Sequence, residues 1–155
     1  MAESFMDQLT KFVPGFGSYL SEQKRRDDDA AVRRYLAERL QECKRDLQLM
    51  MLPLVDQANF AAINEGEKLR AQIETTQSKI RAAVEGYSSW FESVRIDESK
   101  LKQVLDLDND LVGVIDRLQL EISKLASPTP NFTEVESVVV SLKDRFARRK
   151  ELLAR

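Results

Sequence analysis

The sequence predicts an all-α protein: an elongated antiparallel bundle of three long helices plus a C-terminal helix and a short amphipathic N-terminal helix. Three observations predict it. Leu101, Val104, Asp108, Leu111, Ile115, Leu118, Ile122 and Leu125 recur at alternating steps of three and four, a heptad-like seam with one aspartate in it. Similar stripes run through residues 32–54 and 69–94. Five glycines and four prolines are too few for a turn-rich β fold, and no stretch alternates as a strand does.

In residues 1–13, Phe5, Leu9, Phe12 and Phe16 share one helical face, while Glu3, Asp7, Gln8 and Lys11 fall elsewhere. Ser4 offers an N-cap with Asp7 three residues on, and Pro14-Gly15 ends the segment. A dozen residues make no stable isolated helix in water, so this face needs a bundle, a partner chain or lipid to dock on. Residues 1–17 thus read as an appendage to a single domain over 18–155.

The first long helix starts between Ser18 and Asp29, where Asp27-Asp28-Asp29 suit the positive end of a helix dipole, and runs to about Met51. Its seam is Val32, Leu36, Leu40, Cys43, Leu47, Met50 and Leu54. Pro53 marks the break, or the first residue of the next helix. The second helix is expected from Pro53 to Val94, with a weak point at Asn64-Glu65-Gly66 and a seam of Leu69, Ile73, Thr76, Ile80, Val84, Tyr87, Phe91 and Val94. Arg95-Ile96 forms the turn and Asp97 caps the third helix. Ser127-Pro128-Thr129-Pro130 stops that helix. Thr133, with Glu136 in the capping-box position, caps the last one, whose seam is Val135, Val139, Leu142, Phe146 and Leu153. Short loops predict antiparallel packing of sequence neighbours.

Composition narrows the function classes. The chain has 155 residues, a formal charge of −2 and 24 basic against 26 acidic side chains, so bulk electrostatics do not favour nucleic acid. No histidine is present, which removes Ser-His-Asp and Cys-His catalysis and the Glu-x-x-His di-iron site. One cysteine, Cys43, excludes an intrachain disulfide. No apolar run approaches the span of a bilayer, and no signal peptide is recognisable, so the chain reads as cytoplasmic.

Four constellations invite a sharper reading. Asp106-Leu107-Asp108-Asn109-Asp110 begins like a calcium loop, but the sixth and twelfth positions hold Leu111 and Arg117 where glycine and glutamate are needed. It reads as a charged helix surface, with Asp108 a buried polar seam residue that Arg33, Arg34, Arg39 or Arg81 could pair. Cys43 reads as a small core residue. Tyr87, Trp90 and Phe91 close one end of the bundle or, if exposed, form a binding hot spot. The basic residues at 143–155 suit the negative end of their own helix.

Pro14-Gly15-Phe16-Gly17-Ser18-Tyr19, with Arg25-Arg26 and Asp28 following and then a charged helix, resembles the opening of a family of small bacterial helical proteins. Gly86-Tyr87-Ser88-Ser89-Trp90-Phe91 is similar to that family's Gly-Tyr-x-x-Phe-Phe segment, with Trp90 a departure. The resemblance covers residues 1–125 and implies a helical fold without a particular activity. In layout alone, a short amphipathic helix followed by long antiparallel helices is similar to the phage-shock-protein/ESCRT-III scaffolds.

The expected function is a non-enzymatic scaffold or adaptor, without cofactor, that binds a protein partner or a second copy of itself. Phe5, Leu9, Phe12, Phe16, Trp90 and Phe91 are the candidate contact residues. The alternative is a peripheral protein that inserts residues 1–13 into the surface of the inner membrane. A carboxylate-based metal carrier or enzyme built on Asp106, Asp108 and Asp110 is the third reading.

Overall fold

A computed structural model describes residues 22–83, 87–92 and 97–154. Four long helices and one single turn account for them: α1 (Glu22–Asp56), α2 (Phe60–Ala82), α3 (Ser88–Phe91), α4 (Glu98–Ser123) and α5 (Thr133–Ala154). The amphipathic segment 1–13, its Pro14-Gly15 turn, Gly86 and the Arg95-Ile96 turn lie outside the described residues. Among the described residues no helix is long and apolar enough to cross a membrane.

The predicted stripes are the buried ones. Val32, Leu36, Leu40, Cys43, Leu47 and Leu54 of α1 are buried, with Met50 half-buried. All eight seam positions from Leu101 to Leu125 are buried, Asp108 included. Val135, Val139, Leu142, Phe146 and Leu153 face the same core from α5.

Element boundaries depart from the sequence reading in four places. Pro53 does not break α1, because it lies inside the helix on an exposed flank, where water can serve the carbonyl that loses its donor. The helix ends after Asp56 in a Schellman arrangement. The Asn59 N–H donates to the Leu54 carbonyl at 3.0 Å, the Ala58 N–H donates to the Val55 carbonyl at 3.0 Å, and Ala58 sits at φ 54°. Asn59 then caps α2, its side chain accepting from the Ala62 N–H. So α2 has 23 residues, not the near-forty expected from Pro53 to Val94. It runs unbroken through Asn64-Glu65-Gly66 and stops at Ala82, and Tyr87 is not helical. Gly66 is there for packing: a Cβ would lie 2.6 Å from the Met51 sulfur of α1. Third, Thr133 is the first helical residue of α5 rather than its cap. The Phe132 carbonyl accepts the Glu136 N–H, and the Asn131 side chain accepts the Thr133 N–H. Fourth, α4 ends at Ser123, ahead of the Ser127-Pro128-Thr129-Pro130 stop, with the Lys124 N–H donating to the Glu121 and Ile122 carbonyls; Asp97 does cap its start, accepting from the Ser99 N–H at 2.9 Å.

The bundle is two helical hairpins laid side by side. Arg33 reaches the carbonyls of Ile80 and Arg81 while Met51 meets Gly66, so α1 and α2 are antiparallel. Arg145 pairs with Asp110 and Arg117 with Glu134, so α4 and α5 are antiparallel. Between the hairpins α1 packs on α4 and α2 on α5. These pairs run in parallel: Arg39 bonds Asp116, and Asp46 lies further on beside Gln119. The sequence neighbours α2 and α4 therefore do not pack as an antiparallel pair. They occupy opposite corners, joined by the stretch that contains α3. One end of the bundle, the α3 end, holds α3, the start of α1 and the end of α5. The opposite end, the turn end, holds the α1–α2 turn and the α4–α5 connection, where Asn59 touches the Pro128 carbonyl.

Candidate functional site

Charge is buried at the α3 end. Arg25, Asp28, Asp29, Arg33, Asp108 and Arg149 are each 8% exposed or less, three guanidinium groups against three carboxylates. Four of them form a chain across the bundle. Arg33 Nε donates to Asp29 Oδ2 at 2.8 Å. Asp29 Oδ1 lies 2.9 Å from Arg149 Nη2. Arg149 Nε donates to Asp108 Oδ1 at 2.5 Å. Arg33 also donates through Nη1 to the Arg81 carbonyl at 2.6 Å, satisfying an orphan acceptor at the C-terminus of α2. The chain thus joins α1, α2, α4 and α5. Arg25 adds α3 by donating to the Phe91 carbonyl at 2.9 Å.

Burial and pairing oppose each other in this chain. Burial pushes the Asp108 carboxyl up, against the pull of Arg149, which Asp108 shares with Asp29. For Arg149 burial disfavours the charge, but Asp108 and Asp29 more than offset it and the guanidinium is held charged. Asp108 Oδ2, Arg149 Nη1 and the Tyr87 hydroxyl are buried without a hydrogen-bond partner among the described residues. Burial raises the Tyr87 phenol, with Arg149 acting against it.

The sequence reading puts Asp108 correctly on the seam and misses its partner. Arg33 goes to Asp29, Arg39 goes to Asp116, and Arg34 and Arg81 have exposed side chains. The partner is Arg149, which the sequence reading assigns to the solvated basic end of α5. A signal for it exists. Leu142, Phe146, Arg149 and Leu153 step by four, three and four, so Arg149 fills the gap in its own apolar seam. Asp29 likewise stands three residues before Val32 on the seam of α1.

The other candidates are distributed differently. Phe5, Leu9, Phe12 and Phe16 lie outside the described residues. Trp90 and Phe91 are 3% exposed each, packed in the core that closes the α3 end. Tyr87 and Phe91 meet edge to face at 6.0 Å, and Lys100 stands over the Trp90 ring. Asp106, Asp108 and Asp110 do not converge: Asp106 pairs with Lys102, Asp110 with Arg145 and Asp108 with Arg149. Among the described residues no three His, Cys, Asp or Glu side chains are grouped to hold a metal ion. Burial pushes the Cys43 thiol up to about 12, far from a reactive thiolate.

Two surface features remain. A groove of about 560 Å³ runs between α4 and α5, floored by Leu107 and Leu152 and edged by Asp106, Asp110 and Arg148. At the turn end the apolar surface is open. Leu49, Leu52 and Val55 step by threes along the last turns of α1, 55–60% exposed, and Phe60 opens α2 at 70%. They are four of the six large apolar side chains exposed among the described residues, the other two being Leu120 and Val140. No sequence pattern marks this patch, because a break at Pro53 would divide it and put Leu49 and Val55 on different helices. No family model, curated protein or solved structure matches this chain.

Proposed function

We propose that this protein is a non-enzymatic helical scaffold that binds through the turn end of its bundle, to a second copy or to a protein partner. The observation that carries this reading is the cluster of Leu49, Leu52, Val55 and Phe60, exposed together on one end of a bundle whose other long seams are buried. A patch of this kind on a folded domain marks an interaction site. The charge chain at the opposite end supports the same reading, since it fixes how the helices meet and so presents the patch on a rigid base. Trp90 and Phe91 hold the α3 end together, and the contact surface moves to the turn end.

The test is Leu52→Glu with Phe60→Glu in the full chain. Both side chains are exposed, so the circular dichroism spectrum and melting temperature are expected to stay within experimental scatter. Light-scattering mass at micromolar concentration, or the set of proteins captured by the tagged chain from a lysate of its own source, is expected to change. Unchanged mass together with an unchanged captured set would count against the scaffold. Flotation of the wild-type chain with anionic vesicles, lost in Phe5→Glu/Phe12→Glu while the helical spectrum persists, would replace it with the peripheral-membrane reading.

A further inference from the structure

The charge chain does not end in the core. On its α2 side, Arg33 borders a surface cavity of about 330 Å³ between α1 and α2, lined also by Ala30, Arg34, Ala37, Glu38 and Arg81. We propose that this cavity binds a phosphoryl group, carried by a small phosphomonoester or by a lipid headgroup, and that Arg33, Arg34 and Arg81 hold it. The proposal goes beyond the scaffold reading and does not depend on the turn-end patch.

Arg33 is the preorganised part of the site. It is 8% exposed, and its guanidinium is held by Nε donating to Asp29 and by Nη1 donating to the Ile80 and Arg81 carbonyls at 3.4 and 2.6 Å. Its other terminal nitrogen, Nη2, makes no hydrogen bond among the described residues and is not sealed in the core. The cavity therefore has one donor whose position is already fixed, which lowers the ordering cost of binding. Arg34 and Arg81 are exposed and pair with no carboxylate among the described residues. The dipole of α2 accounts for a cation in its last turn, but Arg33 already serves the Arg81 carbonyl, so the Arg81 side chain is free to donate outward. Ala30 and Ala37 leave room between the three guanidinium groups.

The chemistry selects the ligand. Guanidinium groups match the oxygens of phosphate, and donors on three side chains suit a phosphoryl group better than the two oxygens of a carboxylate. Glu38 lines the same cavity and opposes an anion. Asp29 neutralises Arg33 and Glu38 offsets one of the other two arginines, which leaves one positive charge to draw the ligand in. The cavity lies at the small end of ligand sites, about 300–1,000 Å³, so it suits a phosphoryl group with a short carbon chain.

The test is calorimetric titration of the full chain with inorganic phosphate and with glycerol phosphate at fixed ionic strength, beside flotation with vesicles containing phosphatidic acid. Wild type is expected to bind one phosphoryl group per chain. Arg34→Gln/Arg81→Gln changes only exposed side chains, so its melting temperature in chloride is expected to match wild type while its affinity falls tenfold or more. Glu38→Gln removes the opposing charge and is expected to tighten binding several-fold. Arg45→Gln removes an exposed arginine of α1 outside the cavity and is expected to change nothing. This order of variants with the soluble probes identifies a small phosphomonoester, and the same order with vesicles alone identifies a lipid headgroup. Equal losses in Arg45→Gln and Arg34→Gln/Arg81→Gln would mean diffuse attraction and overturn the proposal. Weaker binding in Glu38→Gln would overturn it too, as would no binding of any of the three probes up to about 10 mM phosphate.

Discussion

At the scale of single residues, this chain uses two side chains against their usual habits. Ala58 takes the left-handed position that ends α1, at φ 54°, where glycine would meet no Cβ clash. Ala58→Gly is therefore expected to stabilise the fold by about 0.5–1 kcal/mol, the relief of left-handed strain exceeding the extra unfolded-state entropy of glycine. A rise in the urea midpoint at unchanged slope would show it, and a fall would mean that the turn gains something from the methyl group. Cys43, flanked by Lys44 and Arg45 in sequence, has the surroundings of an activated thiol only on paper. Its side chain points into the core, and burial pushes its thiol up to about 12. Ellman's reagent is expected to leave it untouched in the native protein and to titrate one thiol in denaturant. Rapid native labelling would mean that the α1 seam opens.

At the scale of elements, periodicity located the buried face of every long helix, because burial of a stripe is a local consequence of 3.6 residues per turn. It did not locate the ends. Pro53 is the strongest breaker in the stretch, yet the helix passes it, since an exposed flank tolerates the lost hydrogen bond. The real break at Gln57–Asn59 contains no glycine or proline and is held by the backbone hydrogen bonds of its Schellman turn and by the Asn59 cap. Glycines also differ by context. Gly66 lets Met51 approach, whereas a Cβ on Gly113 of α4 would meet nothing within 4 Å. Gly113→Ala is expected to raise stability by about 1 kcal/mol through helix propensity alone, read as a higher midpoint in chemical denaturation. No gain would place an unseen constraint on that face of α4.

At the scale of the whole molecule, the chain of Arg33, Asp29, Arg149 and Asp108 is the feature that no single element contains. Arg149→Met is expected to cost about 3–5 kcal/mol, because it leaves Asp108 uncompensated and removes one of the two partners of Asp29. Titration gives a finer test. The Asp108 carboxyl is raised by burial above its usual value of 3.8. The native state therefore binds that proton more tightly than the unfolded chain. The contribution to stability is full below the unfolded value and is lost as pH rises through the folded one. An asparagine side chain does not titrate and carries no such dependence, so the penalty of Asp108→Asn is expected to shrink between pH 4 and pH 7. Denaturation curves of both proteins at the two pH values check this. A penalty that grows with pH would mean that the attraction of Arg149 and the repulsion from Asp29 leave a net pull that outweighs burial.

Spacing along the chain was enough for the helical class, the buried seams, the Asp97 cap and the presence of a charged residue on the α4 seam. These follow from spacing within one helix and from side-chain chemistry at its ends. Tertiary structure alone decided that Arg149 is the partner of Asp108, that α2 and α4 sit at opposite corners, and that Trp90 and Phe91 are interior. It also decided that the open apolar surface lies at the α1–α2 turn. Each of these depends on which helix stands beside which. The apolar stripe that specifies burial is much the same on every helix, so it says that a partner is needed without saying which one.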